Sequence, residues 1–212
     1  MLASEQSNSP RAVMYQLLEQ PFIFPNAGLT ETFISGEWQD KLGHCAAQTG
    51  FDLPPESSLR LTAGTKDYEV EFISLFEVGM GGAPCPLHSG HYERDRMKAM
   101  EETLRFYRFF KYQPDRSADR FPDHINFELQ FMALLAEADE KAAATGGDIL
   151  SPLLAQRDFS IRHLASWLPE LSQLIDQQTN IDFFKATSRV LSEFALQDSA
   201  TLEARAREME PA

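Results

Sequence analysis

Phe121-Pro122-Asp123-His124-Ile125-Asn126-Phe127-Glu128-Leu129-Gln130-Phe131-Met132 opens the segment whose periodicity decides the fold class. From Pro122 the pattern runs to about Ala144, just before Gly146-Gly147. One stripe carries Ile125, Leu129, Met132 and Ala136, and a second carries Phe127, Phe131, Leu134 and Ala138. A surface helix needs a single apolar stripe, whereas a helix with two is covered on more than one side. The segment therefore predicts a central helix with other helices packed around it.

Outward from this helix the periodicity stays helical, and two-residue alternation is nearly absent. Arg94 to Lys111 predicts a helix with Met97, Met100, Leu104 and Tyr107 inward, and Glu101 precedes Arg105 by the four residues that suit an ion pair. Between the two helices Gln113-Pro114-Asp115-Arg116-Ser117-Ala118-Asp119-Arg120 is polar and proline-bearing, a hinge over 113–121. Further upstream, residues 10–20 start at Pro10 after the capping Ser9, with Val13, Tyr15, Leu17 and Leu18 toward a core. Trp38, Leu42 and Cys45 share a face of a second helix to about Gln48, and Tyr68, Phe72, Leu75 and Phe76 form the stripe of a third over Lys66 to Val78. Downstream, Ile149 to Gln156 and Ser160 to Leu168 read as short helices, and Pro169 fits the first turn of the next. Asn180 is placed to cap a last strong helix bearing Phe183, Thr187, Val190 and Phe194. A charged, solvated tail is expected over 198–212. The sum is an all-α single globular bundle of about eight to ten helices over residues 1–212.

Composition agrees. With 212 residues, 43% apolar and 24% charged, the chain has the makeup of one compact domain, or of two small lobes sharing a core, and disorder, collagen and coiled coil are excluded. The start, Met1-Leu2-Ala3-Ser4-Glu5, lacks a basic region followed by an apolar one, and no window approaches a membrane span, so a soluble, cytoplasmic protein without stable membrane insertion is expected. Nineteen Lys and Arg against 32 Asp and Glu give a net charge of −13, which repels phosphate backbones and argues against nucleic acid as a partner. The same field favours cationic ligands, basic peptides among them, and a negative surface is equally a common way for a protein to stay soluble. Cys45 and Cys85 are too few for a disulfide framework and suit a reducing compartment.

Chemistry-bearing residues gather in two places. The loop Gly79-Met80-Gly81-Gly82-Ala83-Pro84-Cys85-Pro86-Leu87-His88-Ser89-Gly90-His91-Tyr92 mixes backbone breakers with a thiol and imidazoles. Cys85, His88 and His91, with His124 or Asp123 as a fourth ligand, have the makings of a zinc site, yet no paired Cys-x-x-Cys or His-Glu-x-x-His accompanies them. Asp123-His124 sits at the start of the central helix, with Glu128 one turn beyond His124 on the same face. Three readings stay open: Asp123 stabilised by the helix dipole, His124 as base for Ser89 or Cys85, and a polar patch that receives a peptide. In the last, Asp123 pairs with a guanidinium while Phe121, Tyr92 and Leu87 supply an apolar lining. Nothing resembles a nucleophile elbow or a phosphate-binding loop.

Taken together the segments resemble the TorD/DmsD/NarJ family of redox-enzyme maturation chaperones. The likeness rests on Tyr15-x-Leu17-Leu18, Tyr68-x-x-x-Phe72-x-x-Leu75-Phe76, Pro86-Leu87-x-Ser89-x-x-Tyr92, the Pro122-Asp123-His124-Ile125-x-x-Glu128-Leu129 helix and His163-Leu164-x-x-Trp167. It spans residues 10 to 197. The resemblance implies an all-helical fold, no catalysis, and binding of the twin-arginine leader peptide and apo form of a molybdenum oxidoreductase catalytic subunit before export; separately, with a core of Phe127, Leu129, Phe131, Met132, Leu134 and Phe194, no cofactor or metal is expected. The Cys85-Pro86-Leu87 loop and Phe106-Tyr107-x-Phe109-Phe110 are similar to the branch serving chlorate, selenate, dimethyl sulfide and ethylbenzene oxidoreductases. Phe121 departs from the family's usual Glu, and His88 and His91 depart from its usual loop residues. The resulting expectation is a groove with Asp123 and His124 as polar floor, Ser89 and Tyr92 on the facing loop, Leu87 and Phe121 as walls and Glu128 nearby. Two alternatives are a metal-dependent hydrolase using Cys85, His88, His91 and His124, and a structural assembly subunit. The molecule is expected to be a monomer that can exchange its helices across the hinge into a dimer.

Overall fold

The computed structural model describes residues 9–55, 59–77, 79, 81–114 and 121–209. In chain order the α-helices are α1 Pro10–Glu19, α2 Ala27–Ser35, α3 Glu37–Thr49, α4 Thr65–Phe76, α5 Arg96–Phe109, α6 Ile125–Thr145, α7 Leu150–Phe159, α8 Leu168–Gln178 and α9 Asp182–Met209. Among the described residues no strand forms; one isolated antiparallel bridge joins His88 to His124. The expected all-α class holds.

Caps explain several boundaries. Ser9 accepts the Ala12 N–H and Pro10 takes the first turn of α1. Asn26 accepts the Leu29 N–H at 3.0 Å and starts α2, an element the periodicity did not announce. Gly36, at φ +92°, ends α2 and begins α3 in a single residue, a left-handed conformation that only glycine adopts without cost.

As anticipated, α6 is central: it packs on α1 and α7, while α8 and α7 cover α9 and α3 covers α1. Two groups of aromatic rings fill the core. Phe33, Trp38, Tyr68, Phe183 and Phe184 meet between α2, α3, α4 and α9. Phe106, Tyr107, Phe131 and Phe159 meet between α5, α6 and α7. An ion-pair network also links α1, α7 and α9: Arg11 donates to Asp198 at 2.7 and 2.8 Å and to Gln156 at 2.8 Å. Tyr15 also donates to Asp198, and Arg205 forks onto Asp139 at 2.9 and 3.2 Å.

Four expectations are corrected. The tail from 198 is solvated on one side only: through Met209 it continues α9, which buries Asp198, Ser199, Leu202 and Ala206 and leaves the opposite face exposed, and 210–212 lie outside the described residues. In α5 the inward face is Ala99, Thr103 and Tyr107, and Met97 is 66% exposed. The central helix begins at Ile125, three residues past Pro122, because His124 is extended and acts as its cap. Around the start of α9 it is the Thr179 hydroxyl, and not Asn180, that receives a backbone N–H, from Ile181 at 3.1 Å. Of the expected hinge, 115–120 lies outside the described residues, as do Val78 and Met80.

Candidate functional site

The site is made where the loop after α4 passes the start of α6. The Ser89 N–H donates to the Asp123 carbonyl and the Ile125 N–H to the Leu87 carbonyl, both at 2.9 Å. These two bonds hold 87–89 antiparallel to 123–125. A 3₁₀ turn, Ser89–His91, then folds over the Asp123 side chain. Gly90 is required here: a Cβ would lie 2.7 Å from Asp123 Oδ2 and 2.6 Å from Arg96 Cγ.

Asp123 is fully buried. It accepts the Gly90 N–H at 3.2 Å and faces His88 Nδ1 at 3.2 Å, with Arg96 Nε at 3.9 Å. Burial by itself raises this carboxyl, but the His88 hydrogen bond and charge, Arg96 and the Gly90 N–H outweigh it and hold the group below its ordinary range. An ionised carboxylate only accepts, so His88 carries its proton on Nδ1 and donates it. His124 is set the other way: its Nδ1 accepts the Asn126 N–H at 3.2 Å, which leaves the proton on Nε2.

Glu128 is also fully buried, one turn into α6. Ser89 Oγ donates to it at 2.7 Å and Trp167 Nε1 at 3.2 Å. Burial dominates and drives this carboxyl well above its ordinary value; the Ser89 and Trp167 bonds oppose the rise and the Asp123 charge adds to it. Tyr92 donates to the Pro86 carbonyl at 2.9 Å and lies with its ring centroid 5.0 Å from that of Trp167.

Above this buried layer lies a groove of about 510 Å³ lined by Phe76, Leu87, His88, His91, Phe121 and His124, with Glu77 as its carboxylate. The His88 and His124 rings meet edge to face at 4.9 Å, and His91 lies 6.2 Å from His88. Burial, Arg96 and His88 together lower the His91 pKa, against a smaller opposing pull from Asp123. Phe121 is 55% exposed, and the Arg96 guanidinium sits 5.2 Å over its ring.

The sequence-derived residues therefore come together, but in two layers. His124, Leu87 and Phe121 line the groove, while Asp123, Ser89, Glu128 and Tyr92 do not line it and are bonded beneath it. Ser89 gives its hydroxyl proton to Glu128, away from His124, and so is not set up as a nucleophile with His124 as base. Cys85 is buried, its thiol pushed up to about 11, which keeps it protonated and unreactive. Among the described residues no three His, Cys, Asp or Glu side chains are arranged to hold a metal ion, so the Cys85, His88, His91 and His124 set does not converge. Arg96, Gly90 and Glu77 were missed by sequence reasoning. The spacing of a helix arginine carries no sign that it will reach back to an aspartate 27 positions downstream.

The chain matches the nitrate reductase delta subunit family model over residues 44–173, a stretch that contains both layers. It is 37% identical over 115 residues to the chlorate reductase assembly chaperone protein of Ideonella dechloratans, covering 53% of this chain and 60% of that one. Over 110 residues it is 38% identical to the selenate reductase assembly chaperone protein of Thauera selenatis, covering 51% and 57%. These two matches thus span somewhat over half of each relative's length. A longer match, 29% identical over 187 residues and covering 83% and 82%, is to the perchlorate reductase assembly chaperone protein of Dechloromonas aromatica (strain RCB). Among solved structures, a protein from Archaeoglobus fulgidus described as a redox enzyme maturation protein superposes with a TM-score of 0.54 at 17% identity, covering 87% of this chain and 92% of that one; this is a likeness of fold. No helix among the described residues is long and apolar enough to cross a membrane.

Proposed function

The chain belongs to the nitrate reductase delta subunit family, and from that membership we propose that it is a non-catalytic, cytoplasmic assembly chaperone for the catalytic subunit of a molybdenum-containing oxidoreductase. It binds the subunit in its apo form together with the twin-arginine leader peptide, before cofactor insertion and export. The observation that carries this reading is the histidine-lined groove beside the exposed Phe121 ring. Apolar walls from Phe76, Leu87 and Phe121 suit the hydrophobic part of a leader, and Glu77, in a chain of net charge −13, suits its guanidinium groups.

Asp123 serves this function indirectly. Sealed from solvent, it holds the His88 ring and the Ser89–His91 turn in place, so that His124 presents its Nε2–H to a backbone carbonyl of the peptide and His88 presents Nε2 as an acceptor for a peptide N–H. Ser89 and Glu128 fix the same loop to α6 from below. No cofactor takes part.

Synthetic twin-arginine leader peptides from chlorate, selenate and perchlorate reductases, titrated calorimetrically, test the reading. A micromolar Kd, about −8 kcal/mol, is within reach of a short apolar segment with one or two charge-assisted bonds. Phe121→Ala and His124→Ala should each weaken binding by about tenfold, near 1.4 kcal/mol, without loss of helical signal. If no leader binds while the leaderless apo catalytic subunit does, the chain is a structural assembly subunit and the groove is not a leader site.

A further inference from the structure

The end of α5 breaks the charge pattern of the chain. Residues 103–114 contain Arg105, Arg108 and Lys111 and no aspartate or glutamate, in a protein with 32 acidic side chains. Over residues 94–111 six Lys and Arg face three Asp and Glu, so the net acidity of the molecule lies elsewhere. Cations near a helix C-terminus are favoured by its dipole, and that accounts for the presence of charge there. It does not account for what surrounds the charge.

A cavity of about 780 Å³ lies between the end of α5 and the start of α6, lined by Arg108 and Lys111 together with Leu104, Tyr107, Phe121 and Phe127. Arg105 is paired with Glu101, whereas neither Arg108 nor Lys111 has a carboxylate partner among the described residues. Phe109, beside them in the chain, is 75% exposed. Two unpartnered cations next to apolar and aromatic walls form a surface that water serves poorly and a ligand of opposite charge serves well.

We propose that this cavity is a docking surface for an acidic, aromatic-bearing segment of a partner protein. Its carboxylates pair with Arg108 and Lys111, and its ring packs against the accessible Leu104, Tyr112 and Phe121, with Tyr107 and Phe127 buried behind them. Charge complementarity selects this occupant, since a cationic segment would leave both cations unpaired and repelled. The surface is distinct from the histidine-lined groove, although Phe121 borders both, and the proposal does not depend on a leader peptide binding there.

The test uses the full chain and a rhodamine-labelled synthetic peptide of alternating Glu and Phe, with Lys-Phe and Glu-Ser peptides of equal length as controls, read by fluorescence anisotropy. The Glu-Phe peptide should bind saturably, more tightly than either control, and weaken as salt rises from about 50 to about 200 mM. Arg108→Gln and Lys111→Asn should each weaken it by about threefold and together by about tenfold, a range typical of exposed ion pairs. Asn is chosen because Lys111 has φ +56°, which Asn tolerates. Lys66→Gln, a cation on α4, should change nothing. Equal binding of the Lys-Phe peptide, or wild-type binding by the double variant, overturns the proposal. So does displacement of the peptide by inorganic tripolyphosphate at equal affinity, which would mark a small-anion site. Self-association of the wild type that the double variant abolishes would identify a second copy as the occupant and overturn it too.

Discussion

Asp123 and Glu128 lie five positions apart at the start of α6, both fully buried, and are driven in opposite directions. The difference is the company each keeps: Asp123 faces His88 and Arg96, while Glu128 has only neutral donors, Ser89 and Trp167. A carboxyl whose folded pKa is depressed contributes stability above its unfolded value, lost as pH falls through the folded one. For Asp123 that loss falls below its ordinary 3.8. A carboxyl whose folded pKa is raised contributes stability that is complete below the unfolded value and lost as pH rises toward the folded one. For Glu128 that window opens above 4.5. Glu128→Gln keeps the shape and the Trp167 bond and removes the titration. Urea unfolding across a pH series should therefore show the wild type losing ground steadily to the variant as pH rises above about 4.5. Parallel profiles would mean that Glu128 stays ionised in the folded protein.

At the scale of elements, α9 shows how burial can hide in a charged sequence. Glu203, Arg205, Arg207 and Glu208 dominate its last turns, yet positions 198, 199, 202 and 206 face inward, and only Leu202 among them is large and apolar. Leu202→Ala should cost about 2 to 5 kcal/mol in chemical denaturation, as for any core leucine. A cost under about 0.5 kcal/mol is what a solvated tail would give. The phase of α5 misleads for a related reason. Its buried face is built on Ala99 and Thr103, which hydropathy ranks below the outward Met97. The α6 helix was legible because it is apolar on both sides, so an error of phase changes nothing. At the site, the pairing of Asp123 with His124 beside Glu128 was readable from their spacing. Their burial was not, because it depends on residue 88 bridging to residue 124, a contact across the chain that no local pattern encodes.

The whole molecule shares one contiguous core running from Ala12 to Ala206, through both aromatic groups. Since α9 takes part in the first group and packs on α7 of the second, neither half can melt without exposing the other. Thermal unfolding followed by far- and near-ultraviolet circular dichroism should give coincident single transitions. A separated second transition would show that the halves are independent units. The two tryptophans are divided between these halves. Trp38, donating to the Leu17 carbonyl at 3.0 Å, is wedged against Phe33 and Phe183. Trp167 lies under the loop, bonded to Glu128 and flanked by Tyr92. The protein thus carries its own pair of optical probes: with Trp38 replaced by Phe, all remaining indole emission comes from the layer directly beneath the groove. Its wavelength and intensity then follow the protonation of Glu128 and the seating of the loop, with no dye attached.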